Sequence, residues 1–121
     1  DSETQMIPEI NELIEWLPKN IPSDQETSIV HGDFRLDNMI FDPITHEVKA
    51  ILDWELSTLG NPIADFTYHM MSWRLPAGAK GLGMMGSDLK SLNIPSENEY
   101  AELYYKKTGR EKIDNWDFYM A

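Results

Sequence analysis

His31-Gly32-Asp33-Phe34-Arg35-Leu36-Asp37-Asn38, followed by Ile51-Leu52-Asp53-Trp54-Glu55, are the two stretches on which the reading of this chain turns. Between them run Met39-Ile40-Phe41, the turn former Asp42-Pro43-Ile44-Thr45, and the segment Val48 to Leu52. That is the pattern of a β-hairpin with acidic residues on both flanks. The hairpin returns the chain, so Asp53 at its far end comes to lie beside Asn38 at its near end. The loop from Asp33 to Asn38 is short enough for both side chains to face one cavity.

Three oxygen-bearing side chains at one place suit phosphoryl transfer. That chemistry needs a carboxylate to orient an acceptor hydroxyl and take its proton, and oxygen ligands to hold magnesium on nucleotide phosphates. Asp33, Asn38 and Asp53 could supply both. Taken singly, Asp33 reads as a turn carboxylate and Asn38 as a strand-entry cap, because short motifs match by chance. Their order, with the right secondary structure between them, outweighs those readings.

Outward from this core, Ile7, Ile10, Ile14 and Leu17, with Met6 and Leu13 beside them, predict an amphipathic helix over Met6 to Leu17 that Pro18 ends. Lys19 to Thr27, with Pro22, Ser23 and Asp24, reads as a loop, and Ser28-Ile29-Val30 as a short strand. Asn61-Pro62 supplies an N-cap and a first-turn proline for a helix with the stripe Ile63, Phe66, Met70 and Trp73. Leu75 to Pro95, carrying Gly78, Gly81, Gly83 and Gly86, predicts an extended loop with one helical turn near Met84. Ser96-Glu97-Asn98-Glu99 fits a capping box, opening a helix through Tyr100, Leu103 and Tyr104 that stops at Gly109. A last helix begins near Asn115, and its Trp116, Phe118, Tyr119 and Met120 are expected to need a partner surface.

The composition narrows the function further. Lys and Arg total 10 against 21 Asp and Glu, a formal charge of -11, so phosphate meets a repulsive field unless a cation intervenes. Nucleic acid and anionic membranes are excluded as partners on that ground. There is no cysteine, hence no disulfide or thiolate metal site. No run approaches the roughly 18 apolar residues of a membrane span, and the start Asp1-Ser2-Glu3 lacks the basic and apolar regions of a signal peptide. The expected setting is intracellular, in the cytoplasm.

His-Gly-Asp-x-x-x-x-Asn followed by Ile-Leu-Asp-Trp-Glu resembles the catalytic loop and metal-binding segment of the aminoglycoside phosphotransferase and choline kinase-like family, which has a protein-kinase-like fold. Leu59-Gly60-Asn61-Pro62-Ile63-Ala64-Asp65-Phe66 is similar to that family's Gly-x-Pro-x-x-Asp segment. The wording of Val30 to Asn38 and Leu52 to Gly60 most resembles the kinase-like domains associated with acyl-CoA dehydrogenases. The resemblance implies an α+β fold: part of the larger, C-terminal lobe, mainly helical, with a small β-hairpin carrying the catalytic and metal-binding loops. Residues 1–121 would then be a single partial domain without its N-terminal nucleotide lobe, and inactive alone.

By the same resemblance ATP and Mg2+ are the cofactors, Asp33 the base, Asn38 and Asp53 the magnesium ligands, and His31 the residue that orients the loop. Asp65 would accept hydrogen bonds from that loop, although its place in a first helical turn is favoured by the helix dipole alone. Ile40 and Leu52 would form the apolar floor under the adenine. Glu55 would serve a second metal or the substrate. Arg35 reads equally as a substrate or phosphate contact and as an ion pair with Asp37 or another neighbouring carboxylate. His46 reads as a solvated turn residue and His69 as a structural histidine.

None of Lys19, Lys49, Lys80, Lys90, Lys106, Lys107 or Lys112 sits where that fold keeps its phosphate-gripping lysine. The acceptor would be a hydroxyl of a small molecule. Acidity suits cationic acceptors, whereas the acyl-CoA-dehydrogenase likeness points to a hydroxyacyl or related metabolite and to a fused or associated dehydrogenase. The competing reading is a non-catalytic kinase-like module that binds nucleotide or a partner. A metal-dependent phosphatase is disfavoured, because three dispersed histidines do not build its metal site.

Overall fold

The structure, a computed structural model, describes residues 7–23, 26–78 and 83–121. Asp1 to Glu3, Met6, Asp24, Lys80 and Gly81, which figure in the sequence reading, lie outside the described residues. Helix α1 (Pro8–Trp16) starts on a proline, whose missing N–H would be unpaired there in any case. It ends at Trp16, ahead of Pro18 as expected. The chain tightens into a 3-10 turn, Leu17–Lys19, with Pro18 in its first turn, where again no N–H is required of it. The helical period is thus correct, but Ile7, Ile10 and Ile14 are exposed.

Two small antiparallel sheets frame the loop of interest. Strands β2 (Met39–Phe41) and β3 (Val48–Ile51) form the expected hairpin, pairing Met39 with Ile51 and Ile40 with Ala50. Its turn is held by Asp42, whose Oδ1 accepts the N–H groups of Ile44 and Thr45, each at 2.9 Å. The second sheet was not foreseen. Strand β1 (Ser28–Val30) pairs with β4 (Thr58–Gly60), Ser28 opposite Gly60 and Val30 opposite Thr58. Everything between Val30 and Thr58 is therefore a closed excursion that leaves one sheet, forms the hairpin and returns.

Helix α2 (Pro62–Arg74) follows β4 at once. The Asn61 side chain accepts the Ile63 N–H at 2.9 Å, as the cap signature requires. Ile63, Phe66, Thr67 and Met70 are its buried residues, while Trp73 is half-buried. Helix α3 (Glu97–Thr108) has its capping box, with Ser96 and Glu99 bonding reciprocally, and ends on Gly109 in the left-handed conformation. Phe66, Met70, Ala101 and Tyr105 form the core between α2 and α3. Phe66 stacks on Tyr104 with ring centroids 3.8 Å apart.

Helix α4 (Trp116–Met120) finds part of the partner surface it is expected to need inside this chain. Trp116 and Met120 pack on the core, and the Tyr119 hydroxyl accepts a hydrogen bond from Asn61 Nδ2 at 2.9 Å. Among the described residues the helical turn expected near Met84 is absent. Met84 N–H donates to the Ser72 carbonyl and Met85 N–H to that of Leu75, and Met85 bridges to Pro76. Those N–H groups are committed to distant partners, and the turn that the Met84 carbonyl does close with the Ser87 N–H at 2.9 Å runs through Gly86 at φ 89°, which is not helical. Among the described residues no helix is long and apolar enough to cross a membrane.

Candidate active site

The site begins where β1 ends. His31 is buried at 2% exposure and ties three segments together. Its Nε2 lies 2.7 Å from the Leu52 carbonyl, and its Nδ1 accepts the Asp33 N–H at 3.2 Å. A carbonyl can only accept and an amide N–H can only donate, so these partners assign the proton to Nε2. The ring also packs 4.7 Å from that of Trp54, whose Nε1 donates to the Ile51 carbonyl at 2.8 Å. The first stretch is thereby bolted to the second.

Gly32 adopts φ +84°, and a Cβ there would stand 2.6 Å from the Leu56 carbonyl oxygen. Backbone conformation and backbone contact both demand glycine. Gly32→Ala should therefore destabilise the fold by about 1–3 kcal/mol. Thermal unfolding of the variant checks this, and an unchanged midpoint would count against the geometry.

Asp65, in the first turn of α2, reaches back to the same loop. One of its carboxylate oxygens accepts the His31 N–H and the other the Gly32 N–H, the latter at 2.9 Å. Two backbone donors that the turn leaves unpaired are thus satisfied by one residue. The position does more than complement a helix dipole.

Asp33 is the most heavily engaged carboxylate. Tyr68 Oη donates to its Oδ1 at 2.9 Å, and Asn38 Nδ2 donates to its Oδ2 at 3.0 Å and to its carbonyl at 2.9 Å. Arg35 Nε lies 3.2 Å from Oδ1 as an ion pair, while Arg35 Nη2 meets Asp37 at 2.7 Å. The Tyr68 hydrogen bond above all, opposed by desolvation and reinforced by the Asn38 hydrogen bond and the charge of Arg35, holds the Asp33 carboxyl below its usual range. It is a carboxylate at neutral pH, ready to accept.

The hairpin delivers the remaining oxygen donors. Leu52 N–H donates to the Asn38 carbonyl at 2.8 Å, which sets Asp53, the next residue, beside Asn38. Asp53 is exposed and adopts φ 62°, ψ 56°, a left-handed conformation uncommon for a residue with a side chain. With Asn38 Nδ2 committed to Asp33, its Oδ1 is the side-chain atom left for a cation. Asn38 Oδ1 and the Asp53 carboxylate are hard oxygen donors, which fits magnesium carried in by phosphates. Among the described residues no three His, Cys, Asp or Glu side chains gather as a metal cage.

Ile40 and Leu52 are both exposed, and the register sets them on one face of the hairpin. Glu55 lies in the exposed 3-10 turn Trp54–Leu56, and no hydrogen bond or ion pair is found joining it to Asp33 or Asn38. His46 is an exposed turn residue at φ 58°. His69 sits among the rings of Phe34, Trp73 and Tyr100, and burial lowers its pKa. Tyr68 is the functional candidate that the sequence reading missed.

The model of the phosphotransferase enzyme family matches residues 1–103, which include every residue of this site. The chain belongs to that family. Among curated proteins, this phosphotransferase-family chain is 50% identical over 121 residues to mouse "Acyl-CoA dehydrogenase family member 10", covering 99% of the chain but 11% of that protein. The crystal structure of a "putative aminoglycoside phosphotransferase" from Ralstonia eutropha JMP134 superposes with a TM-score of 0.91 at 50% identity. It is matched over 98% of this chain and 36% of its own. An aminoglycoside-3'-phosphotransferase of type VIII shares the fold, with a TM-score of 0.60 at 20% identity over 91% of this chain and 37% of its own. The fold is therefore α+β, and the chain spans about a tenth of the length of its mouse relative.

Proposed function

We propose that this phosphotransferase-family chain carries the base and the magnesium ligands of an enzyme that moves the γ-phosphoryl group of ATP to a hydroxyl of a small molecule. One observation carries the reading. The Asn38 side chain is bonded to Asp33 while the Asn38 carbonyl is bonded to Leu52, the neighbour of Asp53. Base and metal ligands are thus one connected unit.

In this reading Asp33 accepts the hydrogen bond of the acceptor hydroxyl. As that oxygen bonds to the γ-phosphorus and the bond to the ADP oxygen breaks, the proton passes to the Asp33 carboxylate. Asn38 Oδ1 and Asp53 would hold Mg2+, which when bound neutralises charge on the nucleotide phosphates. The cation also answers the repulsion expected from a net charge of -11. Asp65 and His31 keep the loop in shape, and Ile40 with Leu52 offers an apolar face to the adenine. In this reading the phosphate-gripping lysine would be supplied from outside these residues, as would any fused or associated acyl-CoA dehydrogenase.

For the acceptor we favour a hydroxyacyl thioester, on the strength of the acyl-CoA dehydrogenase family relative. The test is ADP release by the full-length protein with ATP, Mg2+ and, in turn, 3-hydroxybutyryl-CoA, kanamycin and choline. Acceptor-dependent turnover with the thioester supports the reading in full, and turnover with kanamycin or choline corrects the acceptor alone. ATP binding without transfer to any of the three would favour the non-catalytic module.

A further inference from the structure

Asp65 and Tyr68 stand three residues apart on α2, on one helical face, and both reach the loop that carries the base. Asp65 holds the loop's backbone, whereas Tyr68 holds the base itself. The lone pairs of Asp33 can be counted. Oδ1 faces the Tyr68 hydroxyl and the Arg35 guanidinium. Arg35 Nε, although 3.2 Å away, lacks hydrogen-bond alignment, so Tyr68 is the aligned donor on that oxygen. Oδ2 takes one N–H from Asn38 and keeps a second lone pair.

Resting on the phosphotransferase reading above, we propose that Tyr68 is a positioning residue. It fixes the plane of the Asp33 carboxylate so that Oδ2 presents its remaining lone pair to the acceptor hydroxyl. With the phenol gone, Asn38 is the aligned donor that remains beside the unaligned Arg35 ion pair, and rotation about the Asp33 Cβ–Cγ bond carries that lone pair off the line of attack. Tyr68 also walls a cavity of about 290 Å³, with Arg35 and Asp37 on its polar side and Leu36, Met71 and Leu75 on its apolar side. Tyr68→Phe keeps that wall and removes one hydroxyl. Its effect then reports on the hydrogen bond and not on packing.

The experiment compares full-length parent, Tyr68→Phe, Asp33→Asn and the double variant, using the member of the acceptor panel with the highest turnover. Tyr68→Phe should lower kcat about tenfold and leave the acceptor KM within about twofold. In the Asp33→Asn background the same change should have little further effect, because Tyr68 acts through Asp33. Magnesium-ATP titration of each variant verifies that its site is folded. Parental kcat in Tyr68→Phe, a loss confined to KM, or an equal loss in the Asp33→Asn background would overturn the proposal. Parental turnover in Asp33→Asn alone would instead overturn the assignment of the base, and the role of Tyr68 with it.

Discussion

Asp33→Asn in the full-length protein should lower turnover by about two or more orders of magnitude while magnesium-ATP affinity changes little. The substitution removes the proposed proton acceptor and leaves the oxygen donors of Asn38 and Asp53 in place. It also disturbs the site locally. The parent carboxylate accepts from Tyr68 on one oxygen and from Asn38 on the other, so an amide must turn its NH2 toward one of two donors. Initial rates at saturating ATP and acceptor measure the loss. Near-normal turnover would remove Asp33 from the chemistry, however well its hydrogen bonds fit the role.

The second large effect belongs to Asp53. Asp53→Ala should weaken magnesium-dependent ATP binding by about 100-fold or more, since outer-shell ligand partners alone can command 10- to 100-fold. Asn38 would be the only assigned ligand left, and it is neutral. Part of any loss in this variant could come from the backbone, because alanine tolerates φ 62° less well than aspartate does. Asp53→Asn separates the two causes. Asparagine is at home in the left-handed region and drops only the charge, so it should lose binding while unfolding at the parental temperature. A magnesium titration unchanged in both variants would mean that the ion is held by other residues.

Much of this architecture could be read from residues whose chemistry is local. Asp42-Pro43 marks a turn because an Asp side chain can bond the next backbone N–H groups, and Asp42 does so. Asn61-Pro62 and Ser96 to Glu99 mark helix starts for the same kind of reason. The β1–β4 sheet was not legible. Thr58-Leu59-Gly60 is three residues long and ends in glycine, and its partner lies about thirty residues upstream, so no period or local turn announces it. Met84 misled because its N–H bonds to Ser72 across the loop, a tertiary contact that overrides local preference.

The site divides along the same line. The His-Gly-Asp and Leu-Asp-Trp wording named Asp33, Asn38 and Asp53, and the hairpin explained their proximity. Tyr68 carried no motif. The one available clue was its spacing of three from Asp65, which sets both on one face of α2 once Asp65 is known to reach the loop. Arg35 reads two ways in the sequence, and the structure has it paired with Asp33 as well as with Asp37.

The most direct test of the account follows the phosphoryl group itself. Full-length protein is incubated with γ-labelled ATP and the acceptor panel, with Mg2+ or with excess chelator, and the label is traced. The account predicts label on an acceptor hydroxyl with Mg2+, and none there when the ion is chelated or when Asp33 is Asn. Label that reaches only inorganic phosphate, or that reaches the acceptor equally well without Mg2+, would contradict it.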